Sequence, residues 1–179
     1  MPRTERETTI GNHTYRMLPM GVDDSLDLGL EIADMVGGSV GQAIRGAFFD
    51  GEGPDDFDPK ELIGAFTSLP AVLIRAGGAS WCSRVFGLSK ARQVVKGDGG
   101  KARVLMLGDD VQREVAFDDG GLADLLECLG WVLRENYGPF LTGLLQRSGP
   151  LQAVVGELQG GIGAWAESLA STTPPTSSD

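Results

Sequence analysis

The chain has 179 residues, enough for one domain with its own core, and its 41% hydrophobic and 22% charged residues set it outside wholesale disorder. Its 25 acidic against 15 basic residues give a formal net charge of −10, a field that repels phosphate backbones and excludes nucleic acid as an expected partner. The two cysteines, Cys82 and Cys128, stand far apart with no paired Cys or His beside them, which excludes a zinc pattern and a disulfide scaffold.

The opening residues are polar and carry no signal peptide, and no apolar run approaches the roughly 20 residues a membrane span needs. A reducing cytoplasm and no membrane partner are therefore expected. The 27 glycines are about twice the usual share, and many interrupt helical runs, so the helices are expected to be short or bent.

In chain order, Thr8 to Leu18 alternates with period two on either side of Gly11-Asn12, which predicts a β-hairpin closed by a type II′ turn with glycine supplying the positive φ. Pro19 ends the second strand. A helix is expected to begin near Asp23 to Ser25, with Leu26, Leu30, Ala33, Met35 and Val36 on its apolar side, and to weaken or break at Gly37-Gly38. Val40 to Phe49 reads as a shorter helix and Asp50 to Asp58 as an acidic loop. Asp58, Pro59 and Glu61 then form the clearest start signal in the chain, an N-cap followed by proline at the first helical position and an acid at the third. Pro70 is expected to kink that helix, and Trp81, Val85 and Phe86 mark another short one.

From Arg92 to Phe117 the sequence turns β-branched and alternating, which predicts two or three short strands: QVV, RVLML and VQREVAF, the first two joined by the Lys96 to Lys101 loop. Helical spacing returns from Ala116 to Leu145, where Leu122, Leu125, Leu126, Leu129, Val132, Leu133, Tyr137, Phe140, Leu141 and Leu144 define one broad apolar face, kinked or divided at Gly138-Pro139. A last amphipathic helix carries Leu151, Val154, Val155, Leu158, Ile162, Trp165 and Leu169. The fold class expected is α+β: a mainly helical single domain over 1–170, with an N-terminal hairpin, a short central strand region and a disordered polar tail over 171–179.

No set of polar residues forms a convincing reaction centre, so the chain is expected not to be an enzyme and to need no cofactor. His13 is the sole histidine and sits beside a turn without a local nucleophile. Ser80-Trp81-Cys82-Ser83 looks superficially like a thiol nucleophile site but lacks a base, so a buried structural Cys82 is the preferred reading and a small cysteine-dependent hydrolase the alternative. Asp50, Glu52, Asp56, Asp58 and Glu61 fall in a calcium-loop register that Pro54 and Asp55 break, so no metal is expected there. KGDGGK lacks phosphate-loop spacing and reads as a strand connection.

The apolar α-helical face has two readings, core and exposed interface, each suited to different residues. Trp131, Asn136, Tyr137, Phe140 and Leu141 are the candidate protein-binding residues. They sit where Gly138-Pro139 interrupts the hydrogen-bond ladder and can turn aromatic side chains outward.

The TTIGNHTYRMLP hairpin leading into a helix, the AFDDGGLADLLECLGWVLRENYGPFLTGLL segment and the polar C-terminus together resemble the tail assembly chaperones of tailed bacteriophages. Thr9 to Leu18, Phe117-Asp118, and Asn136 with Tyr137 and Phe140 carry the likeness, which covers about two-thirds of the chain. The resemblance implies a non-enzymatic protein of the host cytoplasm that binds the tape-measure protein, keeps it soluble and helps recruit tail-tube protein. It also implies a frameshifted longer form as a partner. A structural tail or baseplate component of the virion is the alternative among binding proteins. The Arg92 to Phe117 region has no assigned counterpart in the family.

Overall fold

The structure, a computed structural model, describes residues 3–38, 41–42, 45, 59–96 and 102–147. The acidic 50–58 loop, the helix expected after residue 150 and the 171–179 tail lie outside the described residues, as does nearly all of the short helix expected from Val40. Within them the order is β1 (Arg6–Ile10), β2 (His13–Met17), α1 (Val22–Val36), α2 (Pro59–Gly77), α3 (Ala79–Leu88), β3 (Arg92–Lys96), β4 (Ala102–Met106), α4 (Asp110–Ala116) and α5 (Gly121–Arg147). The α+β class is as the sequence indicates, with the hairpin and the central strands forming one sheet rather than two separate features.

That sheet is fully antiparallel in the order β1-β2-β3-β4. Ile10 pairs with His13 across the first turn, and Gly11 has φ +56 at the first turn position, the conformation that a type II′ turn requires and that glycine takes without a Cβ clash. Thr14 to Arg16 pair with Val94 to Arg92, which brings the N-terminal hairpin against a strand nearly eighty residues later. Arg92 to Lys96 pair in turn with Met106 to Ala102. Because side chains alternate across a strand, Ile10, Tyr15, Met17, Gln93 and Leu105 fall on the face that the helices cover, and all are buried.

The other face is uncovered among the described residues and mixes ion pairs with apolar side chains. Arg16 is held by Glu7 at 2.5 Å and by Glu5 at 3.8 Å, Arg92 also meets Glu5, and Val104 and Met106 are 43% and 40% exposed. Half-wet antiparallel sheets commonly show this division.

VQREVAF is not a third central strand. Its valines do alternate with polar residues, but Asp109 caps a helix instead: its carboxylate accepts from Gln112 N at 2.9 Å, and Asp110 lies in the positive first turn. Val111 and Val115, four apart, point outward at 71% and 56% exposure. Gln112 Oε1 accepts the Met106 N–H at 2.9 Å and so closes one end of the β4 edge.

α3 stops through a Schellman arrangement in which Ala91 N donates to Phe86 O at 2.9 Å and Lys90 N to Gly87 O at 3.1 Å, with Lys90 at φ +48. The helix begun at Pro59 runs unbroken through Pro70, and α5 runs unbroken through Pro139, so neither is divided. α5 packs on α2 and α3 and touches β1. Its Cys128, Leu129, Trp131, Val132, Leu133 and Tyr137 are all buried, while Leu122 in the first turn is 61% exposed.

Candidate protein-binding site

Asn136 and Tyr137 sit side by side on α5, and both reach the chain that joins the hairpin to α1. Asn136 Oδ1 accepts the backbone N–H of Met20 at 2.7 Å, while its Nδ2 donates to Val132 O one turn back at 2.7 Å and lies 3.9 Å from Met17 Sδ. This carboxamide therefore satisfies a part-buried amide that the loop after Pro19 leaves without a ladder partner. Tyr137 Oη donates to Ser25 O in the first turn of α1 at 2.9 Å. Burial pushes the Tyr137 phenol up, so the hydroxyl stays protonated and remains a donor.

Each candidate residue can now be placed. Trp131 and Tyr137 are only 5% exposed and belong to the core. Tyr137 is turned inward, contrary to the expectation that Gly138-Pro139 would direct it to solvent; the helix does not open there, and the Ser25 carbonyl supplies the polar partner that a buried tyrosine needs. Asn136 is half-buried at the joint. Phe140 is partly buried and packs on the edge of the core. Leu141 continues the α5 backbone, but its side chain lies outside the described residues. The structure thus brings Asn136 and Tyr137 onto one segment, with Phe140 further along the same helix.

A second polar joint escaped sequence reasoning. Gln93 is 2% exposed and donates from Nε2 to Ala116 O at 3.0 Å and to Tyr15 Oη at 3.3 Å. A glutamine on the inward register of a strand was the available signal, since such a residue must find buried partners. Arg113, buried in α4, donates to Leu107 O at 3.1 Å and Ser83 Oγ at 2.8 Å and pairs with Asp110 at 2.6 Å. The hydrogen bond from Ser83, then Arg113, holds the Asp110 carboxyl below its usual range. This network ties α3 to α4.

Little here resembles a reaction centre. Cys82 and Cys128 are free and buried, and burial pushes both thiols up, opposite to what a nucleophile requires. His13 stands edge-on to Tyr15 with ring centroids 6.5 Å apart. No cluster of His, Cys, Asp or Glu with the form of a metal site occurs among the described residues, and no helix among them is long and apolar enough to cross a membrane.

The class that fold and site define is a small α+β module whose buried polar side chains join its own elements around a long apolar helix. A family model described as phage tail assembly chaperone protein, TAC, matches residues 11–149, well over half of the chain, and the chain belongs to that family. The matched span begins at the hairpin turn and includes β2, β3, β4 and all of the described helices. No curated protein and no solved structure matches the chain.

Proposed function

We propose that this tail assembly chaperone binds the tape-measure protein in the host cytoplasm, keeps it soluble and helps recruit tail-tube subunits, with a frameshifted longer form of the chain as a further partner. The observation that carries the reading is the family match over residues 11–149, which runs from the hairpin turn and β2 through all of α5. Two physical features agree with it: Phe140, at the far end of α5, is only partly buried at the core margin, and a net charge of −10 keeps a loaded complex soluble. Trp131, Asn136, Tyr137, Phe140 and Leu141 form the client-binding end of α5 in this proposal. Phe140 and Leu141 make direct contact, while Asn136 and the buried Trp131 and Tyr137 set the surface beneath.

Co-expression with the tape-measure protein tests the proposal. The expected result is a soluble complex that co-purifies, together with the absence of the chain from finished particles. A tape-measure protein that stays insoluble with the chain present, or a stoichiometric amount of the chain in purified virions, would overturn it in favour of a structural tail or baseplate component.

A further inference from the structure

α1 carries the apolar side chains of a core helix, yet no backbone–backbone hydrogen bond joins it to another element among the described residues. Leu28, Ile32 and Ala33 are buried. The backbone hydrogen bonds at its ends are to its own chain, from Ser25 N to Gly21 O at 2.9 Å and from Gly37 N to Ala33 O at 3.0 Å. Among the described residues its polar contacts are Tyr137 Oη on Ser25 O, the bidentate pair of Arg84 with Glu31 at 2.7 and 2.5 Å, and the pair of Asp34 with Arg45 in the segment that follows the helix. The Arg84–Glu31 pair is 43% and 42% exposed, the setting in which such pairs are screened and weak.

Glycines flank this helix at both ends. Gly37 and Gly38 have φ +64 and +57 after it, and Gly21 precedes it. Asn136 grips Met20, the residue just before Gly21, so α1 can leave its seat while the hairpin stays fixed to α5.

We propose that α1 is a displaceable occupant of a helix-binding surface on α5 and α3, and that the ligand of this surface is an amphipathic, acid-edged helix that takes the place of α1. The chemistry of the seat is read from its present occupant. α1 carries Asp23, Asp24, Asp27, Glu31 and Asp34 and no basic residue, and Glu31 meets Arg84, whose guanidinium stands 5.8 Å from the Trp81 ring. A competing helix needs an apolar residue at the Leu28 position, a carboxylate three residues on to meet Arg84, and apolar residues at the next two positions. Displacement uncovers Tyr137, which reconciles a buried tyrosine with a binding role. The identification of the displacing helix with a tape-measure segment rests on the client-binding reading above; the seat itself does not.

The test uses the full chain and a labelled peptide of residues 20–38 as the probe. Glu31→Arg sets the helix against Arg84; amide hydrogen exchange in α1 should rise about tenfold or more, exchange in the sheet should not change, and the peptide should bind about tenfold tighter than to the wild type. Adding Arg84→Glu to Glu31→Arg restores the pair in reverse; α1 should again exchange slowly and the peptide should be excluded. Tyr137→Phe, which keeps the ring, should raise α1 exchange alone. The inference is overturned if α1 exchanges only in step with the sheet in every variant, or if Glu31→Arg gains no peptide binding. Co-purification of the tape-measure protein is scored separately, so its absence from a chain that takes the peptide in this pattern supports the seat and removes only the client.

Discussion

Tyr15 and Phe117 stack with ring centroids 5.7 Å apart and planes 10° from parallel, so the aromatic residue of the hairpin and the phenylalanine before the acidic turn form one contact across a hundred residues of sequence. Phe86 of α3 extends the stack at 6.4 Å. Sheet, α3 and the α4–α5 turn meet there, and Gln93 closes it from the side by bonding Tyr15 Oη and Ala116 O. Phe117→Ala should therefore cost about 3 to 5 kcal/mol of unfolding free energy, the range for deleting a buried aromatic. Urea unfolding checks it: a loss below about 1 kcal/mol would mean that the stack is not central to the core.

Asn136→Ala should cost about 1 to 3 kcal/mol, because it strands the Met20 N–H in a part-buried setting rather than only deleting a contact. Its signature is local. Hydrogen exchange at Met20 should rise well above that of the β2 ladder, and unchanged protection at Met20 would show that water replaces the carboxamide at no cost.

Lys90 offers the opposite sign. It holds φ +48 at the position of a Schellman motif where glycine is the usual residue, and the left-handed conformation costs an L-residue about 1 to 2 kcal/mol. Lys90→Gly should stabilise the protein by a substantial part of that, about 1 kcal/mol, seen as a higher urea midpoint at unchanged slope. A lower midpoint would show that the Lys90 side chain contributes more than the backbone strain removes.

Local signals in the sequence specified most elements because each matched its tertiary setting. Gly11-Asn12 specified the hairpin, Gly37-Gly38 the end of α1, Pro59 the start of α2, and the leucine spacing the long α5. Long-range pairing was not legible: nothing local says that Thr14 to Arg16 will meet Arg92 to Val94. At two places the local pattern left the outcome open. VQREVAF alternates like a strand, but Asp109 with Gln112 three residues later is a helix-start pattern, and the capping hydrogen bond outweighs a β propensity that only exposed valines supply. At the candidate site, periodicity found the α5 face but could not tell which of its aromatics α1 would cover, because that depends on the Ser25 carbonyl lying within reach of Tyr137.

Acid should weaken the α3–α4 joint. The hydrogen bond from Ser83 and the pairing with Arg113 hold Asp110 below the ordinary aspartate value of 3.8, so its contribution is present above that value and is lost as pH falls through the lower folded one. Glu127, raised first by burial and then by Asp124, runs the other way: its contribution is full below the ordinary glutamate value and is lost as pH rises through its folded one. Asp110→Asn should flatten the fall of the urea midpoint below about pH 4, and Glu127→Gln should raise the midpoint at neutral pH. An acid limb of the same slope in Asp110→Asn would remove this network as its source.

Tyr137 and Phe140 separate packing from docking at the end of α5. Tyr137 is 5% exposed and bonded to Ser25, so Tyr137→Ala should unfold the chain early, by about 3 to 5 kcal/mol, whatever its effect on a client. Phe140 is only partly buried at the core margin; truncating it leaves a shallower defect, and Phe140→Ala should cost about half as much stability. An aromatic anchor at an interface commonly contributes about 2 kcal/mol or more to binding, so the same variant should lower tape-measure co-purification at least tenfold at a temperature where it remains folded. Measuring the thermal midpoint and co-purification on the two variants together decides the matter. If Phe140→Ala melts as early as Tyr137→Ala, or if it stays folded and retains the client at the wild-type level, the end of α5 is core and the client docks elsewhere.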